Sequence, residues 1–361
     1  MRAFQQILVL FLAIFEDASS LKDPLLSVVV LYRHGDRAPI RPYEYDVYDE
    51  SYWPSGFGQL TTIGKRQQYA LGKWFRERYD GFLPAEYSKA DIKVLSSNVD
   101  RCLMSAAINL AGLYPPKGAQ VWNKYLSWQP VPIHTRPEGE DPILAQERPC
   151  AAYTELYQQL METDELQSVL KAHEQLFKSM TKNSGEEVAT LEALLDLYNT
   201  LYIERLYNLT LPLWADDVLT EEVEGLCGYA WSTYSYTAGL ARLRSGPLVN
   251  LIIEQFDNAT GNVSDTAKFL MLSAHDSTIA PLLAAMQVYD YKWPQYTSTV
   301  AFELRRGAKS DYVNVFYRNP GEPRNLTLPG CDFDCALDDF KRLLAPVRLG
   351  LADWEDECRR V

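Results

Sequence analysis

Residues 25–32 of this sequence read LLSVVVLY, and residues 33–39, directly after them, read RHGDRAP. The first stretch is a continuous apolar run rich in β-branched residues, which is typical of a strand buried on both faces of a parallel sheet. The second stretch places two arginines beside His34, with Gly35 allowing the backbone to turn closely against a ligand. Together they predict an α/β fold with a ligand loop at the carboxyl end of its first strand.

The pattern on either side of this stretch supports the same fold class. In chain order it gives helix 61–79, strand 92–95, helix 99–113, strand 269–273, helix 278–286 and a hairpin made of 300–305 and 312–317. Strands that alternate with helices indicate a mostly parallel central sheet flanked by crossover helices.

Between about 153 and 245 the pattern changes. Long helical periodicities, such as 155–170 and 188–207, occur there without a convincing strand. We therefore predict a discontinuous catalytic α/β domain, residues 21–150 and 246–361, interrupted by a mainly helical cap insertion at 151–245.

The N-terminal 20 residues predict a signal peptide. Arg2 precedes the apolar run ILVLFLAIF (7–15), and small residues suited to cleavage follow at 18–20. Nine apolar residues are too few to cross a bilayer, which needs roughly 20. The mature protein is expected to be secreted or lumenal, with a lysosome-like compartment included, and to have no transmembrane anchor.

The net charge limits the class of partner, and the cysteines and sequons agree with export. The net charge of −13 argues against a nucleic-acid partner, because phosphate-backbone binding needs a basic surface. Six cysteines are compatible with three disulfides in an oxidising compartment, although their connectivity stays open. Four N-glycosylation sequons begin at Asn208, Asn258, Asn262 and Asn325.

Two histidines occupy the same kind of position. His34 follows the first strand, and His275 follows the predicted strand 269–273. Both therefore lie at the sheet edge where open α/β folds bind ligands. The charged residues at this edge are Arg33, Arg37, Arg101 and Asp276. Guanidiniums bind a phosphate bidentately, a histidine among cations stays neutral and nucleophilic, and a carboxyl group can protonate a leaving oxygen.

These residues also carry a resemblance to a known family, the histidine acid phosphatases, and within it most closely to the prostatic and lysosomal enzymes of animals. The matching stretches are 33–39, 58–61, 100–106 (DRCLMSA), 128–134 (WQPVPIH), 273–278 (SAHDST) and 328–331 (LPGC). The resemblance implies a phosphoglycerate mutase-like architecture and a metal-free, cofactor-free hydrolysis of phosphate monoesters. His34 would be the nucleophile that forms a phosphohistidine, and Asp276 the proton donor. Arg33, Arg37, Arg101 and His275 would bind the phosphate, whereas Asp36 has no assigned chemical step.

The resemblance has further implications outside this site. It implies the disulfides Cys150–Cys358 and Cys331–Cys335, while a third bridge of the family is lost at Ile203 and Thr299. Cys102 and Cys227 are left either as a separate bridge or as thiols.

It also implies a homodimer, with Trp128 and His134 at the interface. For Trp128 core packing is the equal alternative. Residues 56–61 are expected to support the pocket mouth rather than touch the ligand. Around Leu144 and Leu194, aliphatic residues stand where mammalian relatives present aromatic ones to the ligand.

Three alternatives to a general acid phosphatase remain at this point. A mutase shares the Arg-His-Gly start but not the rest of the motif or the export signal. A phytase-like inositol phosphate hydrolase shares the mechanism but needs a pocket for a highly anionic substrate. A secreted binding protein on an inactive scaffold would have lost a catalytic residue, and all of them are present.

Overall fold

The structure is a computed structural model that describes residues 23–261, 263 and 266–360. The predicted signal peptide, residues 1–20, and the sequon asparagine Asn262 lie outside the described residues.

A single mixed sheet forms the centre of the α/β part. Its strands within the described ranges are β1 (Leu25–Arg33), β2 (Ile92–Ser96), β3 (Phe269–Ala274), β4 (Thr299–Arg305), β5 (Tyr312–Arg318), β6 (Arg324–Leu326) and β7 (Cys335–Ala336). Their spatial order is β2-β3-β1-β4-β5-β6, with β7 also paired to β5. The three strands β2, β3 and β1 are parallel, whereas β4 to β7 pair antiparallel. The predicted parallel centre and the late hairpin, β4–β5, are confirmed.

β1 is buried on both faces, as its sequence predicts. Val28, Val30 and Tyr32 point to one side, where they join the core under the first two helices. Val29 and Leu31 point to the other side and join the larger core beneath the C-terminal helices. Because successive side chains of a strand alternate between faces, only an uninterrupted apolar run can fill both cores.

The helices of the described residues form two groups. Those that flank the sheet are α1 (Thr62–Arg78), α2 (Asp100–Leu113), α9 (Ala238–Thr260), α10 (Asp276–Ala285), α11 (Leu337–Leu344) and α12 (Leu351–Cys358). Those between them in the chain are α3 (Ala151–Met161), α4 (Asp164–Ala172), α5 (Glu174–Ser184), α6 (Leu191–Leu206), α7 (Ala215–Val218) and α8 (Glu221–Thr233). This second group encloses a separate apolar core, which is consistent with a helical cap.

One sequence prediction about a helix needs correction, and one predicted boundary meets a continuous helix. The helix predicted over 155–170 is two helices, α3 and α4, because Thr163 begins a new helix by accepting a hydrogen bond from the Leu166 backbone N–H. The boundary predicted at 245/246 falls inside α9, whose first turns contribute Leu240 to the cap core and whose later turns contribute Leu248 to the sheet core. A continuous helix therefore links the two parts of the chain.

The cysteines form the two bridges that the resemblance implies. Cys150 is bonded to Cys358 and ties the start of α3 to the end of α12, and Cys331 is bonded to Cys335. Cys102 and Cys227 are buried free thiols and do not pair with each other.

The segment after α2 exposes apolar side chains. Trp128 is 38% exposed, and its neighbours Trp122 and Tyr125 are 58% and 86% exposed. The alternative that Trp128 packs in the core is therefore wrong for the single chain. His134 is also exposed, although its backbone pairs with Leu95 at the end of β2.

Candidate active site

Parallel pairing of β1 and β3 brings the two predicted histidines together. Arg33 is in register with Ala274, and the His34 backbone N–H donates to the Ala274 carbonyl at 3.0 Å. The next residues, His34 and His275, consequently face each other with ring centroids 5.6 Å apart. Asp276 then begins α10.

His34 has a defined tautomer. It is 1% exposed, and its Nδ1 lies 2.8 Å from the carbonyl oxygen of Gly35, which can only accept a hydrogen bond. Nδ1 therefore carries the proton, and Nε2 keeps a free lone pair. Burial, together with the positive charges of Arg101 and Arg33, lowers the pKa of His34 well below its ordinary value. The ring is thus neutral under acidic conditions.

Arg33 is held rigidly behind His34. Its Nη1 donates to the Pro294 carbonyl at 2.8 Å, and its guanidinium stacks 4.3 Å from the ring centroid of Tyr296. Nη2 forms an ion pair with Asp276 at 2.7 Å. The side chain is 3% exposed, and its Nε has no hydrogen-bond partner among the described atoms.

Arg37 lies in the loop after β1, and Arg101 lies in the first turn of α2. Arg37 donates from Nη1 to the Ala38 carbonyl at 3.0 Å and from Nη2 to Asn199 Oδ1 at 2.7 Å, which leaves its buried Nε without an acceptor in the described structure. Arg101, in the first turn of α2, places Nη2 3.5 Å from His275 Nδ1. Desolvation lowers the pKa of Arg37 to about 10, so that it stays charged at any acidic pH.

His275 is positioned by a serine that follows β2. Its Nε2 lies 2.8 Å from Ser97 Oγ. Burial and the charge of Arg101 lower the pKa of His275 to about 3, and the neighbouring Asp276 opposes this only in part. This ring is therefore also neutral, and the three guanidiniums supply the positive charge of the site.

Asp276 is the acidic group beside the two rings. Burial acts to raise its pKa, but the Arg33 guanidinium and a 2.8 Å hydrogen bond from Trp293 Nε1 to Oδ2 hold the pKa below its ordinary value. Its Oδ1 accepts the Ser277 backbone N–H at 3.0 Å. These contacts fix the orientation of the Asp276 carboxyl group, which lines the cavity together with His34 and His275.

The loop after β1 is shaped by a close approach to α1. A Cβ on Gly35 would lie 2.4 Å from the Gly64 carbonyl oxygen, and one on Gly64 would lie 2.2 Å from the Asp36 carbonyl oxygen. Asp36 itself accepts hydrogen bonds from Thr61 and Tyr207 through its side chain. It anchors the loop and does not line the cavity, which agrees with its having no assigned chemical step.

Residues 56–61 support this loop from outside. The Ala38 backbone N–H donates to the Gln59 carbonyl at 3.1 Å, and the Gly58 backbone N–H donates to the Pro39 carbonyl at 2.7 Å. None of residues 56–61 lines the cavity. The supporting role is therefore the better interpretation.

The histidines lie at the base of a cavity of about 260 Å³ between the sheet edge and the cap. Its walls include Ala145 and Leu195 but neither Leu144 nor Leu194, which are 3% and 0% exposed in the two apolar cores. The aliphatic side chains expected around Leu144 and Leu194 are those of Ala145 and Leu195, the next residue in each case. In a helix or a tight turn such a shift carries a side chain from the cavity wall into the core.

Three residues of this site were not found from the sequence. Ser97 follows β2, so the strand-end rule that selected His34 and His275 also applies to it. Asn199 belongs to the cap helix α6, and Trp293 lies in the segment before β4. No local sequence motif marks either residue. Their contacts with Arg37 and Asp276 exist because tertiary packing brings distant segments together.

The described residues include no group of three or more His, Cys, Asp or Glu side chains arranged to hold a metal ion. Among the same residues, no helix combines the length and apolar character needed to span a membrane.

Comparison with known proteins decides the family. The sequence profile of the histidine phosphatase superfamily (branch 2) matches residues 24–318. The chain belongs to the histidine phosphatase superfamily, branch 2. It is 39% identical over 342 residues to a lysosomal acid phosphatase of Xenopus laevis, an alignment that covers 92% of this chain and 78% of the relative. It is 38% identical over 338 residues to a prostatic acid phosphatase of Bos taurus, covering 92% and 87% of the two chains.

A solved structure shares the fold. The phytase from Citrobacter braakii superposes with a TM-score of 0.67 at 18% identity, covering 93% of this chain and all of the phytase. At that identity the likeness concerns the fold alone. The predicted fold class and the resemblance to acid phosphatases are both confirmed.

Proposed function

We propose that this chain is an acid phosphatase that hydrolyses phosphate monoesters through a covalent phosphohistidine on His34. One observation carries the proposal: His34 presents an unprotonated Nε2 at the base of a cavity, because the Gly35 carbonyl fixes its proton on Nδ1. The acid phosphatases to which the chain is similar support the same reaction.

In the first step, the lone pair of His34 Nε2 attacks phosphorus and the bond from phosphorus to the ester oxygen breaks. Asp276 transfers its proton to that oxygen, so that an alcohol leaves instead of an alkoxide. In the second step, water attacks the phosphohistidine, Asp276 takes a proton from it, and inorganic phosphate is released with His34 restored. Splitting the displacement in two makes each barrier lower.

Arg33, Arg37 and Arg101 are proposed to bind the phosphoryl oxygens together with His275. Arg33 and Arg37 each retain a buried Nε without a hydrogen-bond partner among the described atoms, and Arg101 does as well. Unsatisfied donors of this kind are costly, and an oxyanion in the cavity would meet Arg37 and Arg101, which line it, whereas Arg33 is not among the lining residues. In this proposal the guanidiniums stabilise the transferring group and no metal or other cofactor takes part. Unchanged activity after treatment with a chelator is the corresponding test.

The proton on Asp276 explains why acidic conditions would suit the reaction. The carboxyl group loses its proton readily in the free protein, because Arg33 and Trp293 outweigh the effect of burial. A bound phosphate partly neutralises Arg33 and so favours the protonated carboxyl. At mildly acidic pH a phosphate monoester also carries a proton into the site, while His34 stays neutral because its pKa is lowered.

The decisive experiment compares the purified protein with the His34→Ala variant on 4-methylphenyl phosphate between pH 3 and 8. We expect the variant to lose essentially all activity, and ³²P from a labelled ester to be trapped on the wild type after an alkaline quench. His173→Ala, a change on the cap, serves as the control. Activity that survives in His34→Ala would refute the nucleophile, and a wild type with no turnover would favour the inactive binding protein.

The proposal extends to export and assembly. We propose that residues 1–20 are removed, and that the mature protein is secreted or lumenal, as the lysosomal and prostatic names of its relatives suggest. We also propose the division into a catalytic domain, 21–150 and 246–361, and a helical cap, 151–245, with α9 continuous across the second boundary. Mass spectrometry of the secreted mature chain tests the cleavage.

Glycosylation is proposed at Asn208, Asn258, Asn262 and Asn325. Asn208 and Asn325 are exposed, whereas Asn258 lies half-buried within α9. Glycan occupancy measured by peptide mapping should therefore be higher at Asn208 and Asn325 than at Asn258.

A homodimer is proposed through the exposed segment that contains Trp128. The apolar side chains of Trp122, Tyr125 and Trp128 would be removed from water in such an interface, and His134 follows them in the same segment. Sedimentation of Trp128→Ala against wild type tests this, and a wild-type monomer at micromolar concentration would refute it.

A further inference from the structure

The cavity that holds His34 has two chemically different ends. Its base contains His34, Arg37, Arg101 and His275, the groups proposed to hold the phosphate. Its outer walls are lined by five carboxylates: Glu138, Glu147, Glu186, Glu192 and Asp196. Arg41 is the other cation among the lining residues, and it forms a two-point contact with Glu186. The outer walls are therefore strongly acidic.

The sequence spacing on α6 explains how part of this acidic wall arises. Glu192, Asp196 and Asn199 are separated by four and three residues, so they lie on one face of the helix. Asn199 accepts the hydrogen bond from Arg37 at 2.7 Å. The same helical face thus contacts the phosphate end through Asn199 and presents carboxylates to whatever is attached to that phosphate.

The carboxylates are close enough to influence one another. Partial desolvation raises the pKa of Asp196. Arg41 and Arg37 act to lower it, and Glu186 and Glu192 act to raise it. Acidic groups that repel one another at a cavity wall gain from a nearby cation.

Aromatic rings complete the wall. Trp231 and Trp293 line the cavity with ring centroids 6.1 Å apart, and Tyr43 and Tyr234 also belong to the lining. The faces of aromatic rings carry negative charge density and attract ammonium groups. Carboxylates and indoles together are a combination suited to an organic cation and unsuited to a polyanion.

The base of the cavity independently indicates a ligand. Arg37 is 6% exposed, lines the cavity, and keeps a buried Nε without an acceptor among the described atoms. A ligand whose phosphate satisfies Arg37 must extend its remaining atoms along the acidic wall. A cavity of about 260 Å³ has room for one small organic group beyond the phosphate.

We infer that the enzyme selects phosphate monoesters whose leaving group carries a positive charge, such as an amino alcohol or a phosphorylated side chain beside a basic residue. The inference rests on the proposed function and adds a substrate class to it. It disfavours inositol polyphosphates, because each additional phosphate would meet the carboxylates of the outer wall.

Three esters of matched shape test the inference: 4-(aminomethyl)phenyl phosphate, 4-methylphenyl phosphate and 4-(carboxymethyl)phenyl phosphate. They differ mainly in the charge of the group opposite the ester, which is +1, 0 or −1 at pH 6. We expect kcat/KM for the cationic ester to exceed that for the anionic ester about tenfold or more at low ionic strength, with the neutral ester between them. In about 0.5 M salt the ratio should shrink, because ions screen these charges.

Variants assign the selectivity to the wall. Asp196→Asn and the double variant Glu192→Gln/Asp196→Asn should lower the cation-to-anion ratio stepwise. Asp217→Asn removes the same charge from an exposed position of α7, outside the cavity, and should leave the ratio unchanged. Because the ratio compares two substrates on one protein preparation, a loss of folded protein does not alter it.

The outcomes separate the two claims. If the wild type hydrolyses all three esters with kcat/KM values within twofold, the charge selectivity is refuted and the phosphatase proposal stands. The selectivity is equally refuted if Asp196→Asn and the double variant keep the full ratio. If none of the three esters is hydrolysed, the proposed function fails, and the selectivity that rests on it fails too.

Discussion

Arg37 Nη2 donates a hydrogen bond to Asn199 Oδ1 over 2.7 Å, although 162 residues separate the two in the chain. This contact joins the loop after β1 to helix α6 of the cap. It orients a guanidinium whose Nη1 is held by the Ala38 carbonyl, so the phosphate end of the cavity depends on the cap for its geometry.

Asn199→Ala should therefore weaken phosphate binding. The substitution removes one of the two contacts that orient the Arg37 guanidinium, so a bound phosphate must order that side chain itself, at a cost of about 0.5–1.5 kcal/mol. We expect the inhibition constant of inorganic phosphate to rise by up to about tenfold. Asn183→Ala, at the end of α5, is the matched control, and an unchanged inhibition constant in Asn199→Ala would show that the cap does not position Arg37.

Trp293→Phe should shift the pH dependence of turnover. The indole N–H stabilises the ionised form of Asp276 and lowers its pKa, so its loss raises that pKa. If protonated Asp276 is the acid, the alkaline limb of the kcat profile moves to higher pH, by about one pH unit for a hydrogen bond to a charged group. Phe keeps an aromatic ring beside Tyr198 and Tyr202. A limb that stays in place or moves to lower pH contradicts the role of Asp276.

Gly64→Ala should lower kcat/KM, although Gly64 does not line the cavity. Its Cβ would lie 2.2 Å from the Asp36 carbonyl oxygen, so the loop that carries His34 must move away from α1. Displacement of a reacting group by about 1 Å can cost up to 100-fold in rate, and we expect kcat/KM to fall at least about tenfold.

Gly225→Ala is the control for Gly64→Ala. Apart from its two neighbours and the backbone of its own helix, no atom of the described residues lies within 4 Å of a Cβ at Gly225, which sits inside α8. This variant should keep full activity and gain up to about 1 kcal/mol in the free energy of unfolding. Equal activity of the two variants would show that the close approach of loop and helix is dispensable.

Glu204→Gln should stabilise the protein at high pH more than at low pH. Burial and the nearby Asp46 raise the pKa of Glu204 to about 9, and both of its carboxyl oxygens lack hydrogen-bond partners among the described atoms. The folded protein therefore retains a proton that the unfolded chain loses near pH 4.5, so wild-type stability falls as the pH rises from about 4.5 to 9.

Urea unfolding at pH 5 and pH 8 measures this effect. The gain in the free energy of unfolding from Glu204→Gln should be larger at pH 8. Glu221→Gln, at the exposed start of α8, should give the same change at both pH values. A gain from Glu204→Gln that is equal at the two pH values, or larger at pH 5, would contradict the shared burial of Glu204 and Asp46.

The sequence by itself determined the main strands of the sheet, their ends and the charged and histidine side chains that meet there. The run LLSVVVLY specifies a doubly buried strand, and a residue that follows a parallel strand must lie at the carboxyl edge of the sheet. His34, His275 and Asp276 were therefore found from local patterns, as were the arginines of the same edge. The two disulfides followed from the resemblance and were confirmed by the structure.

Tertiary structure alone decided how those groups are tuned and what surrounds them. Trp293, Asn199 and the acidic wall of α6 reach the site from segments that no spacing rule connects to it. Tertiary structure also decided that Ala145 and Leu195, and not Leu144 and Leu194, line the cavity, because whether a side chain faces a cavity or a core depends on how the element is rotated against its neighbours. Local sequence specifies which chemistry is present, whereas the packing of distant segments sets the charge and shape that a substrate meets.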